Sequence, residues 1–385
     1  MANTLTNLIT TIYNARDVVS RELVGLIPAV SSDMTYERAA VGQTVRSHIA
    51  PAATAADITP AVNPPNDGDQ TIGSVSMTIS KARRVPIRWN GEEKLGLDNN
   101  GASYNLILRD QFAQAMRTLT NEIETDLAAL ALQFSRAYGT AGTTPFASTL
   151  GDPAQVRKIL ADNGTPLSDL QLVIDTTAGA NLRTLAQLTK ANESADTSLL
   201  RRGILLPLHG FDVRESAAIK TAVAVGTAAG ATTNAAGYAV GATVLTLAVA
   251  GTGTLVAGDV VTFAGDTNKY TIVSGDADVS NGGTITLAAP GLRVAMSAAT
   301  KAITVIAAAT RNMAFRRSAI QLATRAPALP AQGDSAADRF MVSDPESGLT
   351  YEVSVYPQYR QVQYEVAMAW GCALVKPEHT AQLLG

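Results

Sequence analysis

Cysteine occurs once in the 385 residues, at Cys372, which excludes an internal disulfide and any multi-cysteine zinc or iron–sulfur site. Histidine occurs three times, at His48, His209 and His379, and never at the i, i+4 spacing of a zinc-protease helix. Charged side chains make up only 16%, against roughly 25% in ordinary soluble domains. The 30 basic and 33 acidic residues nearly cancel. That balance lacks the basic face of a dedicated nucleic-acid binder and the polybasic patch of a membrane anchor. Arg16, Asp17, Arg21 and Glu22 break the apolar run that a signal peptide needs, so a reducing cytoplasm is the expected setting for synthesis.

Catalytic and ligand-binding patterns are missing as well. No Walker lysine follows a glycine-rich stretch, and Gly251-Thr252-Gly253 opens a β-type run rather than a helix. There is no Gly-x-Ser-x-Gly elbow. Cys372 lies among Trp370, Ala373 and Leu374, the setting of a buried structural thiol. Glu92-Glu93 and the Asp276/Asp278 pair lack the twelve-residue loop of a calcium hand and read as solvated turn carboxylates. No catalytic, cofactor-binding or metal-binding residue is assigned, and the chain is not expected to be an enzyme. Thr221 to Gly258 carries no charge, but glycines and β-favouring threonines interrupt it, so it reads as part of a soluble β-rich region and not as a membrane span.

Hydrophobic residues make up 46%, enough for a sizeable core spread over two or three domains' worth of chain. Leu5, Leu8, Ile9, Ile12, Ala15 and Val19 give an amphipathic helix over Leu5–Leu26. Gln43–Ile49 and the alternation Val75, Met77, Ile79, Val85, Ile87, Trp89 give two strands. The chain between them is rich in proline (Pro51, Pro60, Pro64, Pro65) and carries the turn Asn66-Asp67-Gly68. Two such strands predict a long hairpin projecting from the body, with an irregular surface loop as the alternative.

Ser103 is a plausible N-cap. Behind it Phe112, Met116, Leu119, Ile123, Leu127, Leu130 and Phe134 recur every three or four residues. A helix reaching Tyr138 would be about 50 Å long, a spine packed on a sheet or, alternatively, a coiled coil. Pro153 opens a helix with Val156, Ile159 and Leu160, Leu170–Asp175 is a buried strand, and a second helix covers Ala178–Leu188 before a loop over Asn192–Ser198. From Thr221 to Ala309 the composition turns to Ala, Gly, Thr and Val. Short alternating runs there (Thr243–Val249, Val260–Phe263, Lys269–Val273, Thr284–Leu287, Ala302–Val305) predict a small inserted antiparallel barrel or sandwich. Asn312–Ala326 resumes a strand pattern. Two closing strands carry Leu349, Tyr351, Val353, Val355 and Val362, Tyr364, Val366, Met368, Trp370, joined at Pro357-Gln358. The segregated order gives an α+β class.

Charge clusters supply the candidate contact residues. Lys81, Arg83, Arg84 and Arg88 lie along one strand of the expected hairpin, and Asp67 and Asp69 lie at its tip. They are candidates for pairing between subunits, and for the basic set a solubilised sheet edge is the alternative. Arg311, Arg316, Arg317 and Arg325 pose the same choice.

In this order the segments resemble the major capsid proteins of tailed bacteriophages, with the Hong Kong ninety-seven type fold, and most of all the branch typified by phage P-twenty-two. The resemblance is carried by the arm Leu5–Leu26, the extended E-loop over Val41–Asn90, the spine helix Ser103–Tyr138, and an α/β block with a β insertion. NMAFRRSAIQLATRAP and GLTYEVSVYPQYRQVQYEVAMAWGCALVKPE complete it. It implies an N-terminal arm (1–40), an E-loop hairpin region (41–98), a spine helix of a peripheral domain (99–151) and the first part of an axial domain (152–220). An inserted β-barrel-like domain (221–309), an axial return (310–345) and peripheral closing strands (346–385) follow. It further implies pentamers and hexamers tiling an icosahedral head around double-stranded DNA. Scaffolding and portal proteins would be partners, the DNA would be contacted non-specifically, and assembly would take place in the bacterial host cytoplasm. An encapsulin-like shell around protein cargo, or a virion decoration or adhesion protein, are the alternatives.

Overall fold

The computed structural model describes residues 23–49, 53, 55–63, 65, 67–99, 104–189, 202, 205, 207–219, 225–344 and 347–385. Most of the expected arm helix, the Ser103 cap and the Asn192–Ser198 loop lie outside the described residues.

After a short 3-10 turn at Ile27–Ala29, the chain forms β1 (Ser31–Ala39), β2 (Thr44–Ile49), β3 (Gly73–Thr78) and β4 (Lys81–Asn90). Helices α1 (Gly91–Asn99) and α2 (Tyr104–Ala129) follow, then β5 (Arg136–Tyr138), α3 (Gly151–Asp162), β6 (Leu170–Ile174), α4 (Thr176–Thr184), α5 (Ala186–Thr189) and β7 (Phe211–Glu215). The β-rich segment holds β8 (Val244–Leu247), β9 (Val260–Phe263), β10 (Lys269–Ser274), β11 (Gly283–Leu287) and β12 (Ile303–Val305). The chain closes with β13 (Arg311–Arg316), β14 (Ile320–Pro327), β15 (Asp338–Ser343), β16 (Thr350–Gln358), β17 (Gln361–Leu374) and β18 (Thr380–Leu384).

These strands make two large sheets and one hairpin. In the first sheet β17 is central. Val366 pairs with Val353 of β16 on one side and Val85 of β4 on the other, while Trp370 pairs with Thr324 of β14 and with Lys81. So β14 and β16 share one edge of β17 end to end, and β4 runs along the opposite edge. The second sheet has the order β12-β9-β10-β5-β18-β13-β6-β7. One antiparallel strand pair passes through both sheets: β13 with β18 in the second and β14 with β17 in the first. Between the last pair of one (Phe315↔Thr380) and the first of the other (Ile320↔Leu374) the ladder is interrupted by residues 316–319 and 375–379, each containing a 3-10 turn. The pair is therefore one bent ladder.

Helix α2 lies on the first sheet. Thr118, Thr120 and Thr125 bond back to carbonyls one turn earlier, which weakens a helix by a few tenths of a kcal/mol each, roughly. Burying Leu119, Ile123 and Leu127 against Leu322, Val366, Met368 and Trp370 returns about 2 kcal/mol per side chain, so packing decides the conformation. This is helix-on-sheet packing and not a coiled coil. The helix stops at Ala129 and does not reach Tyr138. A 3-10 turn, Leu130–Gln133, leads to extended backbone at Phe134 because β5 pairs with β18 and β10. Leu130 and Phe134 stay buried past the helix end, so the apolar spacing continues where the helix does not.

On the opposite face of this sheet sits the base of the β2–β3 hairpin, with Met77 and Ile79 packed on Ala39, Ala323 and Ala369. The approach is close enough that a Cβ on Gly371 would lie 2.2 Å from the Thr78 carbonyl oxygen, so only glycine fits there. The sequence alternation suggested one strand from Ile72 to Trp89. The structure divides it, with β3 in the hairpin and β4 in the sheet. Ile79 is buried at the break, and the Ser80 N–H donates to the Trp370 carbonyl at 3.0 Å. The buried positions stay odd-numbered on both sides of the break, so the alternation has no phase change to betray it.

Two further boundaries differ from expectation. The β16–β17 turn is Tyr359-Arg360, with φ 54° at Arg360, and Pro357 lies inside β16 opposite Val362. β15 reaches only as far as Val355, so the N–H that Pro357 lacks has no strand to serve. The β-rich segment has its own core of Leu245, Leu247, Phe263, Tyr270, Ile272, Ile285 and Leu287. It is nevertheless not a separate barrel: Lys269 and Tyr270 of β10 pair with Ala137 and Arg136 of β5, which makes its strands an extension of the second sheet. Buried polar groups seal that seam. Gln382 donates to the Ala131 carbonyl at 2.6 Å and to Thr271 Oγ1 at 3.2 Å, and accepts from Arg311 at 2.9 Å.

Glu124 of α2 holds three parts of the chain together. Its carboxylate accepts from the N–H groups of Gly25 and Leu26 at 2.6 Å and Ile27 at 3.0 Å, and from the Ser216 hydroxyl at 2.7 Å, all buried. Replacing Glu124 with alanine strands four buried donors and is expected to destabilise the chain by about 3 kcal/mol or more in urea unfolding. Glu122→Ala, which removes only half-exposed pairs, is expected to cost less than about 1 kcal/mol. Equal losses would contradict this account. Excising 225–306 uncovers Gln382, Arg136 and the edge of β5. Insoluble protein is the expected result, and a soluble, cooperatively folding remainder would show the segment to be separable.

Candidate functional site

Among the described residues, no group of three His, Cys, Asp or Glu side chains is placed to hold a metal ion. No described helix is long and apolar enough to cross a membrane. Glu93 belongs to a capping arrangement: the Glu93 N–H donates to Asn90 Oδ1 at 2.7 Å, and its carboxylate accepts from the Asn90 N–H at 3.1 Å. Asp278 caps a short turn through Ser280, whose hydrogen bonds hold its carboxyl below the usual range. Asp276 accepts from the Asp278 N–H at 2.8 Å. The one cysteine sits against α2, its Sγ 3.7 Å from the Asp126 carbonyl oxygen. Burial, reinforced by the Asp126 charge and opposed by Lys81, pushes its thiol up to about 11.

The surface that stands out is the hairpin. Every described residue from 53 to 74 is exposed, and Ile58 and Val62 are 98% and 103% exposed. Residues 50–72 carry Asp57, Asp67 and Asp69 and no basic side chain. Asp67 and Asp69 lie in this exposed connection. The described apolar side chains of this connection gain nothing until another surface covers them.

The basic set lies elsewhere. Lys81, Arg83, Arg84 and Arg88 are on β4, along the edge of the first sheet, and alternate between its two faces. On the α2 face, Lys81 Nζ is 2.8 Å from Asp126 and 3.1 Å from Glu122, and Arg83 is 3.3 Å from Glu122. Burial alone would lower the Lys81 ammonium, but hydrogen bonds from it to Asp126 and Glu122 raise it above its ordinary value. On the other face Arg84 pairs with Glu365 at 2.8 Å, and Arg88 is exposed. Pro86 stands between them. Arg325 pairs with Asp33 at 2.8 Å, and Arg317 lies 3.7 Å from Asp169. Arg311 is buried, which lowers its guanidinium pKa.

Sequence reasoning did not single out the groove at the far end of the sheet. Trp89, Lys94, Leu95, Tyr104, Tyr359 and Arg360 line an open groove of about 780 Å³ where the β16–β17 turn meets α1 and α2. Lys94 Nζ lies 4.9 Å from the Tyr104 ring centroid, and Tyr359 is 87% exposed. Glu92 lines the groove as well, so charge of both signs lies beside its aromatic faces. Its aromatics are scattered in sequence, Trp89 on β4, Tyr104 at the start of α2 and Tyr359 in the β16–β17 turn, and only the fold brings them together.

No family model matches the sequence, and no curated protein matches it. Solved structures do. The capsid of the cyanophage P-SCSP1u matches over 100% of this chain and 95% of its own, with TM-score 0.50 and 11% identity. The capsid of Myoviridae phage XM1 matches over 100% and 99%, with TM-score 0.45 and 11% identity. A virus-like particle from Pyrococcus furiosus matches over 93% and 91%, with TM-score 0.40 and 10% identity. The cyanophage match establishes the fold: this chain has the α+β fold of a phage capsid protein.

A thiol held near 11 is scarcely ionised at neutral pH. Cys372 is expected to react with a thiol reagent about 100-fold more slowly in the folded chain than in urea. Comparable rates would place it in a different environment.

Proposed function

We propose that this chain is the major capsid protein of a tailed bacteriophage, a structural subunit and not an enzyme, assembling with copies of itself into an icosahedral head around double-stranded DNA. The observation that carries the reading is the hairpin on a capsid-type fold: a limb whose apolar tip is wholly exposed is built to be covered by a neighbour. Its branch would be that of the Hong Kong ninety-seven type, close to phage P-twenty-two. In that reading α2 is the spine, the first sheet the peripheral platform, the second sheet the axial domain, and the β-rich segment the insertion. Residues 1–40 would form the arm. Pentamers and hexamers, a scaffolding protein, a portal and assembly in the bacterial host cytoplasm complete it.

The candidate contacts divide by charge. Asp67 and Asp69 at the tip would meet basic groups of the next subunit, and the exposed sides of Arg83, Arg84 and Arg88 would meet acidic ones. Lys81 is held mainly by its own helix. Many modest contacts of this kind suffice, because a closed shell multiplies them.

Electron microscopy of the purified, concentrated protein is expected to show closed shells of uniform size. Ile58→Asp with Val62→Asp is expected to abolish them while leaving the circular dichroism of the subunit unchanged. A permanent monomer would overturn the reading. Shells from infected cells filled with protein in place of DNA would turn it to the encapsulin-like alternative.

A further inference from the structure

The bent ladder β13–β14/β17–β18 is weakest at its bend. Where residues 316–319 face 375–379, regular pairing is replaced by the Val375 and Lys376 N–H groups converging on the Ala319 carbonyl, at 2.8 and 3.3 Å. Residues 375–379 form one link of the bend; within it the His379 N–H donates to the Lys376 carbonyl at 3.1 Å, and side chains tie it to its surroundings. Asn163 Nδ2 donates to the Glu378 carbonyl at 2.9 Å, the Thr380 hydroxyl donates to the Pro377 carbonyl at 2.6 Å, and Ser135 N–H donates to Thr380 Oγ1 at 3.1 Å. Inside this link His379 is 8% exposed, and its Nδ1 is buried with no hydrogen-bond partner.

Charge around the ring is mostly positive. Arg316 at the end of β13 and Lys376 on the same link oppose protonation, and Glu378 favours it; across the bend Arg317 lies 3.7 Å from Asp169. Burial is the largest influence and, with the two cations, holds the imidazole below its ordinary value. A ring kept neutral by folding contributes stability that is present above the unfolded pKa and is lost as pH falls below it. That loss falls on the link, because the ring belongs to it, whereas both sheets are held by continuous ladders.

We propose that protonation of His379 loosens this bend in mildly acidic solution. A histidine in either sheet would destabilise the whole molecule. Here the loss is confined to the link, and both sheets stay paired.

Hydrogen exchange of the full-length protein, followed by mass spectrometry, tests this. Protection of residues 375–379 is expected to fall about ten-fold between roughly pH 7.5 and pH 5.5, with the centre of β17 unchanged, and His379→Gln is expected to remove the difference. Unchanged protection in the wild type, a fall shared by β17, or the same fall in His379→Gln would overturn the proposal. Should that variant not fold, proton NMR of the wild type decides, since only His48 and His209 share the spectrum. His379 must titrate below the ordinary imidazole value, and titration at or above that value would overturn the proposal.

Discussion

The strands β13–β14 and β17–β18 run through both sheets, so the two sheets are joined by one continuous pair of chains with a bend between them. Everything larger is arranged about that shared pair. Helix α2 packs on the first sheet along β17 and hands its apolar stripe to the second through Leu130 and Phe134. Glu124 pins the entering chain and Ser216 to the middle of the helix, so the carboxylate ties the N-terminal side of the molecule to the same frame. The result is a two-sheet body with a limb, in which the exposed part of the hairpin contributes little to the stability of the chain.

Several of the buried polar groups sit at seams. Arg311, Gln382 and Thr271 lie where the β-rich segment meets the second sheet, and His379 lies where the two sheets join. The cores under the helices are mainly apolar, from Leu119, Ile123 and Trp370 under α2 to Leu172 and Ile174 under α3 and α4, although Thr120 and Tyr351 share a buried hydrogen bond at 2.7 Å. Apolar packing tolerates small slips, whereas a buried guanidinium or imidazole does not. The seams therefore set position, and the cores set stability.

Much of this was legible in the sequence because periodicity reports burial directly. The stripe from Phe112 to Leu127 and the run Val260–Phe263 lie where spacing placed them, and β6 and β10 end within one residue of the expected Leu170–Asp175 and Lys269–Val273. What escaped was partnership. Nothing in KARRVPIRWN says whether its neighbour is a hairpin mate or β17, 280 residues away, since alternation is the same for both. The three-residue strand β5 is too short to show a period, and with it went the link between the β-rich segment and the second sheet. Carboxylates such as Glu124 and Asp126 were invisible for another reason: in a helix of mixed polarity, only the fold shows which acid faces inward.

The arginine-bearing edge of β4 carries one more implication. Pro86 interrupts its row of outward donors, and Arg84 and Arg88 crowd it with charge, so no second chain can lengthen this sheet by main-chain pairing there. Growth into a fibre is thereby blocked along this side. Copies meeting at that side must touch through side chains, whose pairings tolerate a range of tilts. A body with such a margin can be laid flat in one setting and on a curve in another without changing its own hydrogen bonds.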